Sequence, residues 1–245
     1  MTADAPTILA ASGWLVPGER TQFRLGPLVH HAFELAGVSE RRPRLCHVGT
    51  AWGDARSHNA MLDEAARVTG IDLVHLNLFP MPSVEDPGAL LLEQDVVWVG
   101  GGSVANLLAV WAVHGLGPIF EAAWLAGVVL GGSSAGSICW HVGGTTDSFG
   151  PELCAVTNGL GFLPYANGVH YDSEARRRPL FQRLIAEGVL PEGYATDDGV
   201  GLLYRGTELS AAVTQERGKG AYRIWRDGDR AVEERIEPTL LPAAT

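Results

Sequence analysis

Val128-Val-Leu-Gly-Gly-Ser-Ser-Ala-Gly-Ser-Ile-Cys139 runs an apolar segment straight into a Gly-x-Ser-x-Gly core, Gly132 to Gly136. Small residues on both sides of Ser134 let the chain turn sharply from strand into helix. This is the pattern of a nucleophile elbow, which lifts a serine hydroxyl above the sheet edge in a strained backbone conformation. The amide of Ala135 then opens a helix, where backbone N–H groups can face an oxyanion. In a chain with 31 glycines a single match of this kind can also be ordinary turn chemistry. The strand pattern before it and the helical spacing of Ser137, Ile138 and Trp140 after it favour the elbow.

Upstream of the elbow, β-branched or apolar runs recur at the spacing of βα units: Thr7 to Ala11, Arg44 to Val48, Asp72 to Leu78, Asp95 to Val99 and Val128 to Leu130. That rhythm predicts a parallel sheet. Helical patterns lie between the runs, over Gly26 to Ala36, His58 to Thr69, Val104 to Trp111 and Pro118 to Ala126, with apolar residues three or four positions apart. The expected fold class is α/β, a mostly parallel sheet with helices on both faces. Downstream the character changes. A Gly/Pro-rich stretch covers Gly143 to Gly168, and a helix is predicted from about Arg178 to Glu187. Strand-like runs at Gly199 to Tyr204, Ala211 to Gln215 and Ala221 to Trp225 read as a C-terminal antiparallel extension closing the sheet. Asp227-Gly228 suits a hairpin turn, and the tail from Glu237 reads as loose. The whole of residues 1–245 is expected to form one domain.

Composition narrows the function classes. With 18 basic against 28 acidic residues the formal charge is −10, which argues against a phosphate-backbone partner, so no nucleic acid is expected. No apolar stretch reaches membrane-spanning length and the N-terminus lacks the pattern of a signal peptide, so the expectation is a cytoplasmic protein with no membrane partner. Cys46, Cys139 and Cys154 are an odd number without a Cys-x-x-Cys pair, so they read as reduced thiols rather than disulfides or metal ligands. Neither a metal nor a cofactor is expected. A homodimer remains open.

A serine hydroxyl needs a base within hydrogen-bond reach, normally a histidine oriented by a carboxylate. Of eight histidines, His30, His31 and His58 fall in helical patterns, His47 and His75 in strands, and His114 and His141 in helix or loop context. His170 alone follows a predicted strand (Ala166 to Val169) downstream of the elbow, in a loop-like Gly-Val-His-Tyr-Asp setting. The orienting acid has several candidates after the elbow: Asp147, Glu152, Asp172, Asp197 and Asp198. Asp147 is preferred, since it lies past the helix that the elbow starts and the chain can return toward Ser134; Asp197 and Asp198 stand in reserve. Gly100, Gly101 and Gly102 follow a strand and precede a helix, a junction where backbone amides approach a ligand closely. There is no Lys-Ser/Thr after them for phosphate binding, so Gly101 or Gly102 is read as the second oxyanion donor beside Ala135. The triplet Arg176, Arg177 and Arg178 is either a solvated helix face or an anion-binding feature.

Four separated motifs, in this order, carry a family resemblance: Val-Gly-Gly-Gly-Ser (Val99 to Ser103), Gly-Ser-Ser-Ala-Gly (Gly132 to Gly136), Gly-Leu-Gly-Phe-Leu-Pro (Gly159 to Pro164) and His170-Tyr-Asp with arginines following. The chain resembles the peptidase E-like serine peptidases, which include aspartyl dipeptidases and the related cyanophycinases. The resemblance implies a class I glutamine amidotransferase-like fold, with Ser134 as nucleophile, His170 as base and Asp147 as acid. It also implies that one of Arg176 to Arg178 holds the side chain of an N-terminal aspartyl or isoaspartyl residue in a small peptide substrate. Ser103 and Ser133 depart from the family pattern, which often has Asn after the glycines and Trp or Thr before the nucleophile. Both border the substrate site, so they touch specificity rather than reaction class.

Two other readings compete. An α/β-hydrolase esterase shares the elbow, but there further βα units usually separate serine from histidine, and here His170 follows closely. A non-catalytic binding or sensor protein on the same scaffold would have no need of both Ser134 and His170.

Overall fold

The computed structural model describes residues 3–243. The valine-rich run Val96–Val99 is fully buried, with Val97 and Val99 in the core on one side of the sheet and Val96 and Trp98 in the core on the other. Such near-continuous apolar runs belong to parallel strands covered on both faces.

In chain order the elements are β1 (Thr7–Ala11), β2 (Leu15–Pro17), β3 (Phe23–Leu25), α1 (Pro27–Leu35), β4 (Arg44–Val48), α2 (Arg56–Thr69), β5 (Asp72–Leu76), α3 (Pro87–Leu92) and β6 (Val96–Val99). A 3₁₀ turn over Thr50–Trp52 separates β4 from α2. Then come α4 (Val104–His114), α5 (Leu116–Leu125), β7 (Val129–Ser133), α6 (Ala135–Ile138), β8 (His141–Thr146), β9 (Cys154–Val156), β10 (Leu163–Gly168) and α7 (Arg177–Ala186). The chain closes with β11 (Gly193–Thr196), β12 (Val200–Arg205), β13 (Glu208–Thr214), β14 (Ala221–Asp227), β15 (Arg230–Ile236) and β16 (Thr239–Leu240).

The main sheet has eight strands in the order β16-β13-β12-β1-β7-β6-β4-β5. Its five strands from β1 to β5 in that order are parallel, while β12 pairs antiparallel with β1 and β13 antiparallel with β12. The mixed α/β architecture of a mostly parallel sheet with helices therefore stands as the sequence predicts.

A second, six-stranded sheet, in the order β15-β14-β11-β10-β8-β9, is not predicted. It absorbs the Gly/Pro-rich stretch, and it takes β14 away from the main sheet, so only the first two of the three C-terminal runs extend that sheet. The expected hairpin at Asp227-Gly228 joins β14 to β15. The tail is less loose than its composition suggests, because β16 pairs with β13. No single helix among the described residues is long and apolar enough to cross a membrane.

Two caps fix the helix that follows the triple glycine. Ser103 Oγ accepts a hydrogen bond from Asn106 N at 3.2 Å, and α4 ends at Gly115 in the left-handed region. Ser103 thus serves as the N-cap of α4.

Candidate active site

The candidate residues lie just past the C-terminal ends of parallel strands, where open α/β sheets place their ligands. Gly100 to Gly102 follow β6, Ser134 follows β7, His170 follows β10 and Asp198 follows β11. The two sheets therefore contribute together, the main one the serine and the glycine loop, the second one the histidine and the aspartate.

Ser134 has φ 57 and ψ −114, a conformation that non-glycine residues avoid, at the N-terminus of α6. The turn closes only because its neighbours lack side chains. A Cβ on Gly132 would stand 2.2 Å from the Gly136 carbonyl oxygen, and one on Gly136 would stand 2.1 Å from that of Val99. Backbone bonds pin the serine: its amide donates to Ala11 O at 3.0 Å, and its carbonyl accepts from Ser137 N and Ile138 N. The glycine loop runs alongside, since a Cβ on Gly101 would be 3.3 Å from Ser134 Cβ. Gly102 is held next to the 3₁₀ turn, where Ser103 N donates to Ala51 O at 2.9 Å.

His170 is also a non-glycine residue at positive φ, 54°. Its Nδ1 lies 2.5 Å from Asp198 Oδ1. A carboxylate only accepts, so Nδ1 carries the proton and the lone pair of the neutral ring is on Nε2. The hydrogen bond from His170 holds the Asp198 carboxyl below the usual carboxylate range. Asp198 is braced in turn, its amide donating to Asp172 Oδ1 at 2.9 Å while Lys219 holds the other oxygen of Asp172 at 2.6 Å.

Asp147, the preferred acid on sequence grounds, has a different partner. It is 59% exposed and faces Arg177 at 3.8 Å, because the chain after β8 turns toward the start of α7 rather than toward His170. Glu152 pairs with Arg176, and Asp197 accepts from Gly220 N and Tyr222 Oη. Asp198, a reserve candidate, is the acid that meets the histidine. The strand Gly193–Thr196 ends just before Asp197 and Asp198, and recognising that strand would have narrowed the choice to these two.

The arginine triplet divides three ways. Arg176 is exposed on Glu152 and Pro151 O. Arg178 bonds Glu233 and lies over the rings of Tyr171 and Tyr222. Arg177 is 4% exposed, bound to Glu174 through two nitrogens and to Thr145 O at 2.7 Å. A cleft of about 450 Å³ is lined by Ser134, Gly102, Ser103, Trp52, Asp147, Glu174 and Arg177, among others. Of the three arginines only Arg177 lines it, and His170 is outside its lining. A larger cavity of about 540 Å³, around Arg20, Arg24 and His30, shares no residue with this cleft and contains no nucleophile candidate. No group of three or more His, Cys, Asp or Glu among the described residues is arranged to hold a metal ion.

The family model described as peptidase family S51 matches residues 24–212. The uncharacterized peptidase YgaJ of Bacillus subtilis (strain 168) is 41% identical over 183 residues, which cover 75% of this chain and 78% of that one. In three dimensions the chain is similar to a peptidase from an acI-B1 Actinobacterium, with a TM-score of 0.68 at 14% identity, covering 96% of this chain and 95% of that one. It is also similar to a protein described as a peptidase E from Listeria monocytogenes EGD-e, with a TM-score of 0.55 at 12% identity, over 94% and 98% of the two chains. At those identities the structural likenesses bear on the fold alone, and both match across nearly the full length.

Proposed function

The chain belongs to peptidase family S51 and is a serine peptidase, and from that premise we propose that Ser134, His170 and Asp198 form its catalytic triad, acting on short peptides. The observation that carries this reading is the 2.5 Å contact between His170 Nδ1 and Asp198 Oδ1, which fixes the tautomer a general base requires. The strained turn at Ser134 supports the same reading.

In the proposed reaction Ser134 Oγ attacks the amide carbonyl carbon as His170 Nε2 takes the hydroxyl proton. The imidazolium that forms is stabilised by Asp198. The carbonyl oxygen, now negative, is held by the amides of Ala135 and of Gly101 or Gly102; one such donor is worth roughly 10² to 10³ in rate. Collapse breaks the C–N bond, His170 returns the proton to the leaving amine, and an ester of Ser134 remains. Water, deprotonated by His170, then hydrolyses that ester and regenerates the hydroxyl.

For the substrate, the family resemblance favours a dipeptide with an N-terminal aspartyl or isoaspartyl residue. Arg177 is the arginine of the triplet with access to the cleft. It already carries Glu174, so an acidic substrate group must compete with or displace that carboxylate. A second reading has a specific basis: Asp147 and Glu174 line the same cleft and are the more exposed charges there, which suits a basic side chain elsewhere on the substrate. The two readings are compatible in a peptide that carries both.

The test is release of free amino acid from α- and β-linked Asp-Leu, Asp-Arg and Ala-Arg by wild type, Ser134→Ala and His170→Ala. Turnover of the aspartyl members that vanishes in both variants is expected. A preference for Asp-Arg over Asp-Leu identifies the second charge preference. Turnover that survives Ser134→Ala removes the serine mechanism, and cleavage of Ala-Arg alone removes the aspartyl specificity.

A further inference from the structure

We propose that Ser12, immediately after β1, is a positioning residue that holds the histidine and the serine of the active site in one frame; the proposal rests on the triad reading above. Ser12 is 1% exposed. Its Oγ accepts a hydrogen bond from the His170 amide at 3.1 Å, across 158 residues of sequence. An amide only donates, so the single proton of the Ser12 hydroxyl points elsewhere, to Thr196, whose Oγ1 lies at 2.6 Å and whose carbonyl lies at 3.3 Å.

The backbone around Ser12 completes the frame. Ser12 N donates to Val200 O at 2.9 Å and Ser12 O accepts from Gly199 N at 2.7 Å, which with the Thr196 contact holds the chain on both sides of Asp198. The preceding residue, Ala11, accepts the Ser134 amide at 3.0 Å. Two consecutive residues therefore tie down the amide of the serine, the amide of the histidine and the loop of the histidine's partner. They are also where the two sheets meet, since Ser134 follows a strand of the main sheet while His170 and Thr196 belong to the second.

Both anchored residues need such ties. Ser134 and His170 have positive φ, a conformation that persists in a non-glycine residue only when surrounding contacts impose it. Removing the Ser12 hydroxyl leaves the part-buried His170 amide without its partner and frees that residue to relax. The imidazole would then swing about its tether to Asp198. Small displacements of a general base are costly, with about 1 Å of misplacement worth on the order of 10²-fold in rate.

The experiment compares wild type, Ser12→Ala and Ser12→Thr, with kcat expressed per serine titrated by a fluorophosphonate and Ser134→Ala and His170→Ala as references. Ser12→Ala is expected to lower kcat by roughly 10- to 100-fold with KM changed less than about twofold, and Ser12→Thr, which keeps the hydroxyl, to recover most of it. A purely structural role would lower the yield of titratable enzyme but leave kcat per site intact. The proposal is overturned if kcat per site in Ser12→Ala stays within about twofold of wild type while both reference variants are inactive. If the reference variants retain turnover, the triad reading fails instead. Should Ser12→Ala not fold, Ser12→Cys replaces it: a thiol is a weak acceptor for the His170 amide, so kcat per site is expected to fall by roughly 3- to 10-fold, and an unchanged kcat overturns the proposal.

Discussion

Asp198 Oδ1 stands 2.5 Å from His170 Nδ1, although the two residues come from the ends of different strands of the second sheet. The contact makes Asp198, not Asp147, the group that sets the imidazole tautomer. Asp198→Asn is therefore expected to lower kcat by about 10² to 10⁴, and Asp147→Asn by less than about threefold, in steady-state kinetics on one dipeptide. Equal losses in the two variants would show that the orienting acid is not the one that touches the histidine.

The acid limit of folding should carry the signature of a buried histidine. His141 is fully buried, with Nδ1 on Ser137 O at 2.9 Å and Nε2 on Tyr204 Oη at 3.2 Å, and burial pushes its pKa down to about 4 from 6.5. The carbonyl can only accept, so Nδ1 is the donor, and burial keeps the ring neutral, with Nε2 accepting from Tyr204 Oη. Between pH 6.5 and about 4 the unfolded chain binds a proton that the folded one does not, so stability is full above 6.5 and falls as the pH drops through this window. The loss is on the order of 3 kcal/mol. Urea unfolding of His141→Gln against wild type at several pH values should show a flatter dependence in the variant. A parallel pair of curves would sink the assignment.

Close packing at the elbow predicts a sharp contrast between glycines. A Cβ on Gly136 would meet the Val99 carbonyl oxygen at 2.1 Å, and both sides of that contact are backbone. Gly136→Ala should cost more than about 3 kcal/mol or fail to fold, by overpacking against an immovable strand. Gly228, at φ 66 in the β14–β15 turn with nothing within 4 Å of a built Cβ, gives the comparison. Gly228→Ala should cost only about 1 to 2 kcal/mol, from its backbone conformation alone. Thermal melts of the two variants separate the effects.

Glu174 holds Arg177 through two nitrogens, and both line the cleft. Glu174→Gln weakens that grip and removes a negative charge. The expected outcome is a KM for aspartyl dipeptides lower by roughly 3- to 10-fold, with the KM for a substrate bearing Arg raised by a similar factor. No change in either constant would remove both residues from substrate recognition.

The sequence discloses one sheet well and the other poorly, for physical reasons visible in single strands. Parallel strands such as Val96–Val99 are buried on both faces, so their apolar runs stand out. In the second sheet β8 reads His-Val-Gly-Gly-Thr-Thr and β10 reads Leu-Pro-Tyr-Ala-Asn-Gly. Their glycines allow close backbone contact, a Cβ on Gly143 falling 2.0 Å from Val156 O, and glycines are what sequence patterns assign to turns. The elbow and His170 were legible because each ends a recognisable strand. Asp198 was only one acid among five, because Gly193–Thr196 is too short and too rich in small residues to read as a strand. The split of the arginine triplet was hidden for another reason: which guanidinium faces the cleft depends on how α7 packs over the second sheet. Ser12 gave no signal at all, since its partners are more than 150 residues away.

Tying the active-site groups to strands far apart in the sequence has a consequence for biosynthesis. Strand β1 is made well before β12, its antiparallel neighbour, and before Asp198, the partner of His170. A nascent chain that already carries Ser134 and His170 still lacks the carboxylate and the strand that would align them. If the proposed triad holds, translation intermediates and truncated products that end before Asp198 are expected to cleave peptides far more slowly than the finished molecule.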